Sequence, residues 1–206
     1  MRKSAPMSMT EGQPDLLKPC AFCLAFAATL WLMGCGGSLY KVKPVIEGPV
    51  SETSRKAAAE GLSVRAVPLL GDEESQEMFE SNLPLAGLLP VRVEIANTGG
   101  APLEFKRIRL RLRDREGREW KMRSAKQAAS RILEANAVTL YNPHARKSFE
   151  EALSRHALDL KTPLGAAERR QGLVFFQTPK KEAVASSTTL VLTIEGLGQP
   201  LKLRLN

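Results

Sequence analysis

The stretch LLPVRVEIAN, Leu88–Asn97, decides the fold. Its charged residues, Arg92 and Glu94, are two positions apart and should face solvent. The residues that alternate with them are apolar and should face a core: Val91, Val93 and Ile95. Because successive side chains of a strand point to opposite faces, this alternation predicts a half-buried β-strand. The turn-forming residues 98–100, Thr-Gly-Gly, end it.

Other segments share this short, turn-bounded strand pattern. They are residues 62–70, 103–113, 118–122, 169–179, 188–196 and 200–206. Residues 114–117 are predicted to form a hairpin turn, and the acidic stretch 71–87 is interpreted as a loop ending in a turn. Short strands joined by turns, without a βαβ rhythm, favour a mainly β, antiparallel sandwich.

Two helices are predicted between the strand groups. Ser124 and Gln127 have the spacing of a capping box, and Asn142 before Pro143 is a second helix start. An apolar face then recurs every four residues, at Phe149, Leu153 and Ala157. We expect a two-helix insertion at about residues 124–158.

The composition is globular and basic. Of the 206 residues, 43% are hydrophobic and 25% are charged, and the formal net charge is +8, which favours anionic surfaces as partners. All three cysteines come early, at Cys20, Cys23 and Cys35, so the body is not built on internal disulfides. Cys20 and Cys23 have the CxxC spacing, but their apolar surroundings lack the further ligands that zinc requires. We expect no metal site and no cofactor.

An apolar run of thirteen residues, AFCLAFAATLWLM, occupies positions 21–33. As a helix it would extend about 20 Å, which is less than the bilayer's hydrocarbon core of about 30 Å. Its length is typical of the central region of a secretory signal. Small residues follow it at Gly34, Gly36 and Gly37.

The four residues Leu32-Met33-Gly34-Cys35 resemble the lipobox of bacterial lipoproteins. The resemblance implies cleavage between Gly34 and Cys35 and attachment of acyl chains, such as palmitate, to Cys35. Met33 is larger than the residue most common at its position. The alternative is an uncleaved, short membrane anchor in which Cys35 is a buried structural residue.

On this basis the chain divides into three parts. Residues 1–34 are the predicted signal peptide, residues 35–60 the lipidated N-terminus and flexible tether, and residues 61–206 the β domain. The expected location is the bacterial cell envelope, with the protein held to a membrane by covalent lipid on Cys35. Whether this is the inner or the outer membrane stays open.

The β domain resembles immunoglobulin-like domains of bacterial lipoproteins. The likeness lies in a strand that opens with Pro90 and Val91 and ends at Asn97. It also lies in a late strand from Gly172 to Phe176. The resemblance implies an immunoglobulin-like antiparallel β-sandwich that serves binding or scaffolding, and it supplies no catalytic residue.

Arginine alternates with apolar residues in one predicted strand. The arginines are Arg107, Arg109, Arg111 and Arg113. On a strand rising about 3.3 Å per residue they would share one face and span roughly 20 Å. They form a candidate anion-binding stripe for phospholipid or other envelope polyanions. The alternative is a solvated sheet face, partly neutralised by neighbours such as Glu94.

The sequence offers little for catalysis. His144 and His156, the only histidines, are twelve residues apart and do not share a helical face. We assign no catalytic residue, and we expect no nucleic acid because aromatic residues do not interleave the basic ones. The expected function is non-catalytic binding or scaffolding, with an anionic envelope polymer or a protein as partner. Two alternatives stay open: an accessory subunit that docks through its helical insertion, and a periplasmic hydrolase.

Overall fold

Strands make up most of the regular structure from residue 54 onward, and helices interrupt their order in two places. The computed structural model describes residues 42–43, 54–59, 61–185 and 188–206, all within the unit Ser38–Asn206. The strands are β1 Arg55–Ala59, β2 Leu62–Pro68, β3 Leu88–Asn97, β4 Arg109–Asp114, β5 Glu119–Arg123, β6 Arg169–Gln177, β7 Leu190–Glu195 and β8 Leu201–Arg204. The helices are α1 Asp72–Phe79, α2 Ala125–Ala135 and α3 Pro143–His156, and a 3-10 turn covers Phe105–Arg107.

These strands pair antiparallel in one sheet, in the order β1-β2-β3-β6-β5-β4-β7-β8. The end strands β1 and β8 lie near each other, so the sheet curves almost into a barrel. The prediction of a mainly β, antiparallel domain is confirmed. Helices α2 and α3 also confirm the two-helix insertion predicted at about residues 124–158.

The inner face of the sheet carries the main hydrophobic core. β3 contributes Val91, Val93 and Ile95, as its alternation predicts. From the other side of the core come side chains of β7 and β8: Leu192, Ile194 and Leu203. Burying a side chain of this size stabilises the fold by about 1.5–3 kcal/mol. Because these strands share one core, the outer faces of β3 and β6 point away from those of β7 and β8.

The three helices form a layer on the outer face of β3 and β6, which we call the helical layer. A second core fills the space between them. The strands supply Leu88, Leu173 and Phe175, and the helices supply Phe79, Ile132, Phe149 and Leu153. β6 therefore buries both faces along residues 173–176, which accounts for the unbroken apolar run LVFF.

Both helices of the insertion begin where the sequence predicts. The Ser124 hydroxyl accepts from the Gln127 N–H at 3.3 Å, and the Gln127 side chain accepts from the Ser124 N–H at 3.0 Å. This is the predicted capping box. At the second start, the Asn142 side chain accepts from the His144 N–H at 2.9 Å, and Pro143 is the first helical residue.

Helix α1 corrects the interpretation of residues 71–87 as a loop. Three acidic residues open the helix, where they interact favourably with the positive end of its dipole: Asp72, Glu73 and Glu74. Met78 and Phe79, at its end, are buried in the helical layer. Those two apolar anchors, rather than the acidic composition, decide the local structure.

Strand β1 falls inside residues 35–60, the stretch assigned to the flexible tether. The sheet therefore begins earlier than the sequence indicates. The strand reads RKAAA, which has neither strict alternation nor β-branched residues. Its position depends on pairing with β2, from Arg55 opposite Ala66 to Ala59 opposite Leu62.

Strand β5 joins the two halves of the sheet. Glu119 and Trp120 help it pair with β4, whereas residues 121–123 pair with β6. The loop 157–164 fills the gap that opens between β4 and the first half of β6, and the Leu158 N–H donates to the Leu173 carbonyl at 2.9 Å. Gly172 permits this approach, because a Cβ atom there would lie 2.5 Å from the Leu158 backbone.

Candidate functional site

The outer face of β4, β7 and β8 carries five basic side chains. We call this set the basic face: Arg109, Arg111, Arg113, Lys202 and Arg204. Strand register brings them together, because Arg111 lies opposite Thr193, and Thr193 lies opposite Lys202. In the next row Val191 separates Arg113 from Arg204. Neighbouring strands are about 4.8 Å apart, so each row places two cations about 10 Å apart.

Two glutamates partly neutralise the basic face. Arg111 donates to Glu119 at 3.0 Å and to Glu195 at 2.9 Å. Glu119 also accepts from Arg113 at 3.3 Å. The hydrogen bond that Arg111 donates to Glu119 lowers the pKa of the Glu119 carboxyl and raises the pKa of the Arg111 guanidinium group. Five cations against two carboxylates leave a formal charge of 5 − 2 = +3.

The margins of the basic face keep their positive charge. Arg109 donates to the main-chain oxygens of Lys106, at 2.8 Å, and Ile108, at 3.1 Å. Arg204 donates to the main-chain oxygen of Asn206 at 3.3 Å. The two carbonyl contacts orient the Arg109 guanidinium group without cancelling its charge, and Arg109, Lys202 and Arg204 are all exposed. A ligand with spaced anionic groups would meet cations at these margins.

Arg107 does not belong to the basic face. It ends the 3-10 turn, which the Ile108 N–H closes by donating to the Phe105 carbonyl at 3.0 Å. The strand begins only at Arg109, so the aligned arginines span about 13 Å rather than the predicted 20 Å.

Glu94 was expected to face solvent and help to neutralise the stripe, and this expectation is wrong. Its side chain is only 6% exposed on β3, with Arg169 at 3.8 Å. Glu119 and Glu195 neutralise the arginines instead.

Sequence reasoning missed Lys202 and Arg204 as members of the site. Their alternation with buried leucines in β8 indicates that they point outward. Their adjacency to Arg111 and Arg113 depends on the register of three strands that are far apart in the chain. An alternating pattern carries no information on that register.

A cleft of about 500 Å³ opens beside the basic face, where β5 leaves β4. It adjoins a second cleft of about 440 Å³ at the start of α2, and Met122 and Leu160 line both. Met122 is 48% exposed, although it is two residues after the buried Trp120 and would therefore be expected to point inward as well. The departure of β5 toward β6 therefore exposes apolar surface at the margin of the basic face.

The two histidines lie at opposite ends of α3. His144 is exposed in its first turn, whereas His156 is buried in its last turn, with its ring 6.2 Å from that of Phe79. Burial lowers the pKa of His156, although a hydrogen bond with the Lys43 backbone opposes the shift. Within the described ranges, no group of three or more His, Cys, Asp and Glu side chains is placed to hold a metal ion.

The free energy of unfolding should decrease as the pH falls below about 6.5, the ordinary pKa of histidine, because His156 has a lowered pKa in the folded state. The unfolded chain then binds a proton that the folded chain does not bind. One such proton gives a slope of at most about 1.4 kcal/mol per pH unit. The measurement is urea unfolding between about pH 7.5 and pH 5.

His156→Phe should flatten this dependence, because phenylalanine keeps an aromatic ring against Phe79 and does not titrate. His144→Gln is the matched control and should leave the profile unchanged. An unaltered slope in His156→Phe would contradict the assignment.

The residues of the predicted lipobox and signal peptide, including Gly34 and Cys35, lie outside the described residues. Their lipidation therefore stays a prediction. Across the described part of the chain, no helix is both long and apolar enough to cross a membrane.

Comparisons with protein families, with curated proteins and with solved structures find no match for this chain. The resemblances to the lipobox and to immunoglobulin-like domains therefore stay predictions from the residues that carry them.

Proposed function

We propose that the chain is a lipid-anchored protein of the bacterial cell envelope whose β domain is a non-catalytic binding or scaffolding module. The residues Leu32-Met33-Gly34-Cys35 support the anchor. The basic face is the single observation that carries the binding role, because it places five cations on one sheet surface that none of the described elements covers.

The chemistry of the basic face favours an anionic polymer as its ligand. Guanidinium groups bind phosphate and carboxylate oxygens through paired N–H donors, and lysine adds a mobile point charge. Phosphates or carboxylates repeated along a polymer would match cations in parallel rows about 10 Å wide. The face contains no aromatic residue on which a base could stack, so it favours such polymers over single-stranded nucleic acid.

The finer fold assignment, an immunoglobulin-like sandwich, is part of this proposal. Two sets of strands support it, β1-β2-β3-β6 and β4-β7-β8, which face each other across one core. Sandwich layers also pack through alternating inward side chains. In this chain β5 links the two sets into a continuous sheet.

The alternative of docking through the helical insertion is no longer supported by the observation that suggested it. The apolar side chains of α3 that suggested it, Phe149 and Leu153, are 2% and 0% exposed within the chain itself. A hydrolase is also less favoured, because His144 and His156 lie at opposite ends of α3 and do not converge on one site.

A charge-neutralised basic face should bind polyanions more weakly. In the test variant, Arg109, Arg113, Lys202 and Arg204 become glutamine, and Arg111 keeps its two glutamate partners. We expect the detergent-solubilised protein to elute from immobilised polyphosphate at clearly lower salt than the unmodified protein.

The matched control removes the same charge from the helical side, by changing Lys126, Lys147, Arg155 and Lys180 to glutamine. It should elute close to the unmodified protein. Equal losses in the two variants would indicate attraction by net charge alone and would overturn the assignment of the basic face.

A further inference from the structure

The chain touches the helical layer only a few residues after the predicted lipidation site. The Lys43 N–H donates to the Met78 carbonyl at 3.0 Å, and the Lys43 ammonium group lies 2.8 Å from a Glu77 oxygen. Val42 packs against the core of the helical layer, and His156 hydrogen-bonds to the Lys43 backbone. A main-chain bond, an ion pair and an apolar contact thus hold this point of the chain to α1 and α3.

The distance from Cys35 to this attachment point is limited by covalent geometry. Val42 is seven residues beyond Cys35, and seven residues span at most about 25 Å. For a flexible tether, as the sequence predicts at residues 35–60, that length corresponds to a typical end-to-end distance of about 15 Å. Lipid on Cys35 would therefore keep the helical layer close to the membrane surface.

The basic face lies on the opposite side of the domain. The helical layer covers the outer face of β3 and β6, and β7 and β8 lie across the inner core from those strands. Packed layers are about 10 Å apart. The helical layer packs on β3 and β6, and these strands pack across the inner core on β7 and β8, so the helical layer and the basic face are about 20 Å apart. This separation exceeds the typical reach of about 15 Å and lies within the fully extended length of about 25 Å, so the anchor keeps the helical layer, on average, nearer to the membrane than the basic face.

Of the three large apolar side chains that are exposed among the described residues, two lie on the helical side, and the third, Met122, lies at the margin of the basic face. Leu85, in the segment after α1, is 69% exposed, and Tyr141, between α2 and α3, is 91% exposed. Tyrosine is enriched at membrane–water interfaces because its ring is apolar and its hydroxyl is polar. Neither residue lies on the basic face.

We infer that the helical layer faces the anchoring membrane and that the basic face points away from it, toward an anionic polymer rather than toward the anchoring leaflet. This inference rests on the proposed lipid anchor. It assigns the two sides of the domain to different partners: phospholipid on the helical side and polymer on the opposite side.

Single-cysteine labelling can test the orientation, because the sequence contains no cysteine after Cys35. Ser148→Cys places a fluorophore on the exposed side of α3, and Thr193→Cys places one at the centre of the basic face. The lipidated protein is incorporated into phosphatidylcholine vesicles whose headgroups carry a nitroxide quencher. We expect loss of fluorescence at position 148, retention at position 193, and binding of added polyphosphate by the vesicle-bound protein.

Vesicles that also contain phosphatidylglycerol distinguish the two sources of anionic groups. Quenching at position 193 in these vesicles, equal to or above that at position 148, would overturn the inference. A long Gly-Ser insertion after Ser38 is the control, since it removes the length limit and should reduce the difference between the two positions.

The intact mass of the protein, measured before incorporation, distinguishes a failure of the orientation from a failure of the lipid anchor on which the orientation depends. Absence of the acyl mass would refute the lipid anchor itself. An acylated protein with the reversed quenching pattern would refute the orientation and leave the anchor standing.

Discussion

Replacing Cys35 with serine is expected to abolish acylation and to prevent cleavage after Gly34. A serine hydroxyl cannot replace the thiol that becomes the thioether-linked attachment point. Each buried methylene of an acyl chain contributes about 0.8 kcal/mol, and two or more chains are needed for stable anchoring. The measurements are incorporation of labelled palmitate and the intact mass, which should retain residues 1–34 and lack the lipid.

Cys20 and Cys23 provide the matched control for this experiment. Both lie within the predicted signal peptide, so a variant with serine at both positions should still be cleaved and acylated. Palmitate incorporation or an unchanged mass in Cys35→Ser would refute the lipoprotein assignment.

Replacing Gly172 with alanine should destabilise the domain by about 2–3 kcal/mol, in the range of overpacked interiors. A Cβ atom there would lie 2.5 Å from the nitrogen and the Cα atom of Leu158 and 2.9 Å from the carbonyl carbon of Ala157. These are backbone atoms, so the loop 157–164 must move away from β6. The measurements are urea unfolding and amide hydrogen exchange at Leu158, whose N–H should lose protection with its bond to Leu173.

Gly100 is the control position, because no atom of the described residues lies within 4 Å of a Cβ atom built there. Gly100→Ala should change the free energy of unfolding by less than about 0.5 kcal/mol, as at other open surface sites. Similar stability in the two variants would contradict the close approach of the loop to β6.

Alternation predicted the strands because each needs one face in the core and carries that requirement in its own residues. The same holds for the helix starts, since Ser124 and Gln127 satisfy backbone groups within one turn. Strand β1 and helix α1 were missed for the opposite reason. The strand reads RKAAA and depends on pairing with β2, and α1 depends on the burial of Met78 and Phe79 against distant residues.

The candidate site was predictable only in part, because a surface combines residues from several strands. The alternation identified Arg109, Arg111 and Arg113 as one face, and the structure places them there. Lys202 and Arg204 join them through register, which is a long-range property. Glu94 does not follow the expectation that the charged residues of an alternating strand face solvent, because the helical layer covers the face of β3 opposite the inner core.

The end strands β1 and β8 of the nearly closed sheet affect how closely neighbouring copies of the protein can associate. A membrane anchor would concentrate many copies in two dimensions, where unpaired strand edges of neighbouring molecules could join. The end strands carry like charges, with Arg55 and Lys56 on β1 and Lys202 and Arg204 on β8. Repulsion between these edges opposes edge-to-edge growth, so the residues that would attract a polyanion also help to keep neighbouring copies apart.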